Sequence, residues 1–447
     1  MREQPKFAMQ FVVSQLMRAR DLVRSQLVCD EITPEGVLEM ALCGPAEKVL
    51  HFWQAADLHL EFFSVSPEHR KPNAQVPYPV FICSKGRAST ALLEWRAPHC
   101  LGKMCGETGG GGPPVVVVVE PQEEAGYRSN WPDALLMVLP RPGATAIGFA
   151  RWAVQRLCNG ATERGSKRIL RLPFIWMADD LLVSFYRLEP ALPSQPQVSE
   201  RRIRRALPRA GFQEAFLSVQ RREDICKAAV AGFLRDRGGN MHITKDWMLD
   251  GSLSLQKVVL LNLVRLRELQ IEYCPLLRKS EDLALSYEVI LATGHLLKCQ
   301  CYAYRAIHLE RGGAEEVRRE CRGGSSSEPS RLLLGGRSAI QTLPTPRQRA
   351  AVEALLTWMA RSRSGVVDHH GDFNDGAEEA SEALLDTNDT TQKPCREAQA
   401  GEPGTEAQKA CGVQPSDAGS LKPGPVGWLR KLPKGEENPP PPKRRRI

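Results

Sequence analysis

The chain has 447 residues, 42% of them hydrophobic, with 60 lysines and arginines against 52 acids and a net charge of +8. That is room for one large domain or two to three average ones around a sizeable core, with the composition of a soluble globular protein. No stretch approaches the roughly 20 apolar residues that cross a bilayer, which argues against membrane insertion, while the charge admits an anionic partner such as nucleic acid. The thirteen cysteines are scattered, and the close pairs Cys100/Cys105 and Cys299/Cys301 have no second pair at zinc-finger spacing. Reduced thiols in an intracellular compartment are expected.

In chain order, residues 7–29 carry Phe11, Val12, Leu16, Val23 and Leu27 at near-helical spacing with basic residues between them, and predict an amphipathic helix rather than a secretion signal. Thr33-Pro34-Glu35-Gly36 reads as the cap of a second helix over 33–42. Residues 1–74 are thus expected to be a helical extension. The globular centre, 75–310, opens with an apolar strand ending at Cys83, followed by the polar turn Ser84-Lys85-Gly86-Arg87. The glycines at 109–112 precede the five valines 115–119. A phosphate-binding loop would follow its strand and end in Gly-Lys-Ser/Thr, so they read as a linker and the valines as a buried strand ending at Glu120.

Ala134 to Leu139 is a third strand, and Ile147, Ala150, Val154 and Leu157 mark a helix that includes Arg151. The oily run from Phe174 then stops at two adjacent carboxylates, Asp179 and Asp180. This order favours a parallel-rich α/β sheet with flanking helices. After the arginines at 201–209, apolar segments recur at 214–219, 255–269 and 296–304, with Ser280-Glu281-Asp282 between the last two. Beyond about 311 the composition turns to Gly, Ser, Glu and Pro, so 311–447 is expected to be a mostly disordered tail with one helix at 346–362. The acidic patch between Asp368 and Asp389 argues against the whole tail gripping DNA. The run Lys443 to Arg446 on a proline stem reads as a nuclear-import signal, the plainer reading being a solvated charged terminus.

Three strand-end clusters, Ser84-Lys85-Gly86-Arg87, Glu120 with Gln122, and Asp179-Asp180, are expected at one edge of the sheet, where open α/β sheets bind ligands. Arg87 suits a base or phosphate, Glu120 or Gln122 a base or ribose, and the aspartates Mg²⁺ or Mn²⁺ under a pyrophosphate. A carboxylate of Glu281-Asp282 suits a general base. Each pair also has a plainer reading: Asp179-Asp180 as a strand-end turn, Glu281-Asp282 as the first turn of a helix capped by Ser280.

The runs PVFICSKGRAS at 79–89, VVVVVEPQE at 115–123, GFARWAVQRL at 148–157, FIWMADDLL at 174–182 and SEDL followed by LLKCQCYAYRA up to 306 occur in an order that resembles the nuclear glycosyltransferase family associated with TET/JBP oxygenases, which includes the base J glucosyltransferase. The resemblance covers about residues 75–308. It implies a GT-A fold, a UDP-sugar donor (UDP-glucose), and transfer of a hexose with inversion to the hydroxymethyl group of an oxidised pyrimidine in nuclear DNA, alongside a TET/JBP-type oxygenase. By the same resemblance Ser84, Lys85, Arg87, Glu120, Gln122, Arg151 and Asp179 would face the donor, Asp179, Asp180 and His308 would hold the metal, and Glu281 or Asp282 would deprotonate the acceptor. The first acid of the Asp-x-Asp signature is replaced by Ala178. That departure leaves open an inactive GT-A scaffold in chromatin, and a transferase acting on protein or glycan is a further alternative.

Overall fold

A computed structural model of the chain describes residues 22–33, 36–73, 78–93, 112–140, 147–188, 209–235, 247–250, 255–307, 334, 337–343 and 345–363, all within the first of two compact units, 1–391. The centre is built from strands β3 (Val80–Cys83), β4 (Val115–Val119), β5 (Leu135–Val138) and β8 (Phe174–Asp179). They run parallel in the order β8-β3-β4-β5, with Cys83 level with Asp179 and Val119 level with Val138. Every residue of β3, β4 and β5 is buried, as strands covered on both faces must be. Alternation divides the valines of β4 between two cores: Val116 and Val118 join one, while Val115, Val117 and Val119 join the other.

Helices cover both faces. On the first lie α1 (Ala46–Leu58), α3 (Ile147–Gly160) and the later half of α6 (Glu281–Thr293); on the second lie α4 (Phe212–Gln220) and Tyr127 of α2 (Glu124–Asn130). Among the described residues, the outer strands continue the same sheet, mostly antiparallel. β13 (Val258–Asn262), which leads into α5 (Leu263–Glu268), pairs with β8, and β11 (Val230–Arg235), β14 (Leu296–Ala306), β9 (Leu182–Arg187) and β10 (Arg209–Ala210) follow outward; β12 (Trp247–Asp250) pairs with β14, and β6 (Ala161–Glu163) and β7 (Ile169–Leu170) end the sheet on the other side. The mixed α/β architecture expected from the sequence is therefore present. No described helix is long and apolar enough to cross a membrane.

Two expectations are corrected. Within the described part of 1–74, residues 22–33 and 36–45 are not helical but form two antiparallel strands, β1 (Leu22–Thr33) and β2 (Gly36–Pro45), which extend the sheet beyond β5. The cause is an alternation of period two: Leu27, Cys29, Leu38 and Met40 are buried, while Val28 and Glu39 between them are not. Thr33 pairs with Gly36 at the meeting of the two strands, instead of capping a helix, and Pro34 and Glu35 lie outside the described residues. Second, the helix expected at 346–362 forms, as α7 (Pro346–Arg363), but it does not belong to a tail: Ala351, Val352 and Leu355 pack against Leu283, Ala284 and Tyr287 of α6. The rest of 1–21 and 364–447, with the acidic patch and the basic run, lies outside the described residues.

The start of α3 is set by one close approach. Gly148 donates its N–H to the Leu277 carbonyl at 3.0 Å, and a Cβ there would stand 2.7 Å from that oxygen and closer still to the carbonyl of Cys274. Gly148→Ala is therefore expected to destabilise the fold by about 1–3 kcal/mol, read as a lower urea midpoint. An unchanged midpoint would show that the 274–277 loop does not seat α3.

Candidate functional site

β3, β4 and β8 are parallel, so their carboxyl ends, Cys83, Val119 and Asp179, reach one edge of the sheet. β13 runs the opposite way beside β8 and therefore begins at the same edge, which brings in Lys257; the Asp179 N–H donates to the Lys257 carbonyl at 2.8 Å. The first turn of α6 adds Glu281 and Asp282.

The side chains at this edge form three linked groups. On the β4 side, Lys85 Nζ pairs with Glu120 Oε1 at 2.7 Å, Gln122 donates to the other Glu120 oxygen, and Glu123 accepts the Gly86 N–H. Beneath β3, the Asp180 carboxylate accepts from Arg87 Nη1 and from Ser84 Oγ, each at 2.5 Å, and the Ser84 hydroxyl also meets the Tyr127 phenol. Beside α3, Asp179 Oδ1 accepts from Arg151 Nη2 at 2.5 Å and Oδ2 from Lys257 Nζ at 3.0 Å. Arg151 Nε lies 3.2 Å from Glu281 Oε1, and the guanidinium sits over the Tyr273 ring. Asp282 accepts from the backbone N–H of Leu283 at 2.9 Å and of Lys257 at 3.3 Å.

Burial sorts these residues into two tiers. Ser84, Arg87, Glu120, Arg151, Asp180 and Glu281 are buried. Lys85, Gln122, Asp179, Lys257 and Asp282 reach solvent, with Asp179 and Lys257 side chains 19% and 21% exposed. Burial works against charge on Asp179, but Lys257 and Arg151 outweigh it and hold the carboxyl below its usual range. For Asp180 burial wins over Arg87 and Ser84, and the carboxyl is raised. Burial likewise raises Glu281 against the pull of Arg151, with Asp282 and Asp179 adding to the rise. Asp179 in turn keeps the Lys257 ammonium above its ordinary range.

These contacts decide the expected metal site. Adjacent residues of a strand face opposite sides of a sheet, and β8 obeys this: Met177 packs in the first core and Ala178 in the second. Asp179 accordingly turns to Arg151 of α3, while Asp180 turns to Arg87, Ser84 and Tyr127. An Asp-x-Asp pair would share a face, but on the face of Asp180 the preceding position is the buried Ala178. All four carboxylate oxygens already face a cationic or hydroxyl donor, so the pair does not fit a divalent cation. His308 lies outside the described residues, and among those residues no group of three or more His, Cys, Asp or Glu is placed to hold a metal.

Of the other expected residues, the structure brings Ser84, Lys85, Arg87, Glu120, Gln122, Arg151, Glu281 and Asp282 to this edge. Sequence reasoning missed Lys257, Tyr127 and Tyr273. Lys257 is a single lysine before the oily run 258–262, and its importance comes from β13 running antiparallel to β8, which no spacing reveals.

Residues 78–299 match the sequence model of the TET-Associated Glycosyltransferase family, a span that holds every residue placed above at the sheet edge. No curated protein matches the chain. Among solved structures, S. aureus TarS 1-349 in complex with UDP is similar at 12% identity over 65% of this chain and 73% of that one, with a TM-score of 0.33. TarS 1-349 in complex with UDP-GlcNAc is similar at 11% identity over 69% and 80%, also with a TM-score of 0.33. At that TM-score the likeness carries no argument.

The two aspartates should differ on mutation. Asp180→Ala leaves the buried Arg87 guanidinium without its carboxylate and is expected to cost about 3–5 kcal/mol. Asp179→Ala should cost about 1 kcal/mol, because the site is partly solvated and Arg151 retains Glu281. Urea unfolding of the two variants checks this, and equal losses would contradict the two-tier reading.

Proposed function

We propose that this chain, whose residues 78–299 match the TET-Associated Glycosyltransferase family, transfers a hexose from a UDP-sugar to the hydroxymethyl group of an oxidised pyrimidine in nuclear DNA. The observation that carries the proposal is the convergence of Lys85, Arg87, Arg151 and Lys257 with Glu281 and Asp282 at the carboxyl edge of parallel strands inside the matched span. Nucleotides bind at that edge of open α/β sheets, a diphosphate needs fixed positive charge, and a sugar acceptor needs a base. The resemblance to the base J glucosyltransferase favours a GT-A arrangement, glucose as the sugar, a modified base as acceptor, and an oxygenase of the TET/JBP type as the source of the hydroxymethyl group. The basic run 443–446 supports a nuclear setting.

In this reading Lys85, Gln122 and Glu120 line the nucleoside end of the donor. Asp179 and Lys257 lie under the sugar diphosphate, with Arg151 fixing Asp179 from below. The acceptor hydroxyl oxygen attacks the anomeric carbon from the face opposite the diphosphate. As the new C–O bond forms, the bond from the anomeric carbon to the UDP oxygen breaks and its electron pair leaves with UDP, which gives inversion. Asp282, the member of its pair that reaches solvent, takes the hydroxyl proton. Glu281, buried against Arg151, is a positioning residue for that charge.

A second reading, a silent scaffold, is favoured by the internally satisfied carboxylates of Asp179 and Asp180. The two separate on one experiment. Hydroxymethylated DNA incubated with the protein and UDP-glucose should yield hexosylated nucleosides by mass spectrometry, and no new mass with any UDP-sugar would contradict transfer to DNA. Asp282→Asn should lower kcat by about 10²- to 10⁴-fold with KM for the donor little changed. A pure KM effect would remove Asp282 from the role of base.

A further inference from the structure

The carboxylate expected to hold a metal holds a lysine instead. Lys257 Nζ stands 3.0 Å from Asp179 Oδ2, and the other oxygen of Asp179 is taken by Arg151. A divalent cation at this position would have to displace the ammonium and then sit beside it, at the cost of like-charge repulsion. The lysine is also built in. Its backbone is left-handed, with φ 63°, a conformation that costs a non-glycine residue free energy and persists only where its surroundings impose it. Here both flanks are tied to the site: the Lys257 N–H donates to Asp282 Oδ2, and its carbonyl accepts from the Asp179 N–H. Ser280, which precedes the acids of α6, is left-handed as well, with φ 59°. The side chain is 21% exposed, so it also meets solvent at the sheet edge.

We propose that Lys257 takes the place of a divalent cation: its ammonium bridges Asp179 to the diphosphate of the donor, so that donor binding is independent of metal. This rests on the nucleotide-sugar reading and deepens it. As the bond between the anomeric carbon and the UDP oxygen breaks, negative charge gathers on the β-phosphate, and Lys257 is the side chain placed to neutralise it. Arg151 acts through Asp179 and is a positioning residue. Lys is suited to this as a compact point charge with three donors, able to keep Asp179 and meet a phosphate oxygen at once.

Calorimetric titration of the full chain with UDP tests this, with EDTA and with Mn²⁺, on the wild type, Lys257→Met and Lys257→Arg. The expected result is a wild-type Kd that agrees within about twofold in the two buffers, weakened about 10- to 100-fold in Lys257→Met and partly restored in Lys257→Arg. Wild-type binding that needs Mn²⁺, or a Kd unchanged in Lys257→Met, overturns the inference while leaving the nucleotide-sugar reading standing. Absence of UDP binding in both buffers overturns that reading and the inference with it. The wild-type comparison decides the metal question even if Lys257→Met does not fold.

Discussion

Everything at the cleft follows from the end of β8, where two neighbouring carboxylates are sent to opposite sides of one sheet. The alternation that divides Met177 and Ala178 between the two cores sets the side of Asp179, and Asp180, the first residue of the turn beyond the strand, takes the other. Asp180 goes inward and is compensated by Arg87 and Ser84. Asp179 goes toward α3 and is compensated by Arg151 and Lys257. A buried carboxylate without such partners would cost several kcal/mol, so each aspartate dictates the residues around it.

The two compensations do different work. The Asp180 group joins the turn after β3 to the residue beyond β8 and to Tyr127 of α2, tying these three segments together. Asp179 is shared between a buried guanidinium and a partly solvated ammonium, and so presents a cationic surface resting on a carboxylate. In place of two acids awaiting a metal, the cleft offers protein cations whose positions are already fixed. Such preorganised charge stabilises a developing anion with little reorganisation.

Much of the centre was legible in the residues. The five valines of β4, the run 174–179 and the apolar spacing of α3 each match an element almost end to end, because a strand covered on both faces must be continuously apolar and a helix on a sheet must repeat near 3.6. Strands β1 and β2 escape the sequence reading because Val23 and Leu27 also satisfy helical spacing; the alternation of buried Leu38 and Met40 about Glu39 is the better signal, and it ends at the continuously apolar Met40 to Cys43. At the site, Arg87 and Glu120 follow from strand-end position, and Arg151 from family resemblance. Lys257 does not, because its place depends on the antiparallel pairing of β13 with β8, a contact across 78 residues. The same geometry turned Asp179 and Asp180 from a metal pair into two separate ion pairs.

The most direct measurement is a crystal structure of the chain grown with UDP and Mn²⁺, with anomalous data collected at the manganese edge. The account predicts UDP at the β3–β4–β8 edge, its diphosphate within hydrogen-bonding distance of Lys257 Nζ, and no anomalous peak on Asp179 or Asp180. A manganese peak bridging either aspartate to the diphosphate, with Lys257 turned away, would contradict it.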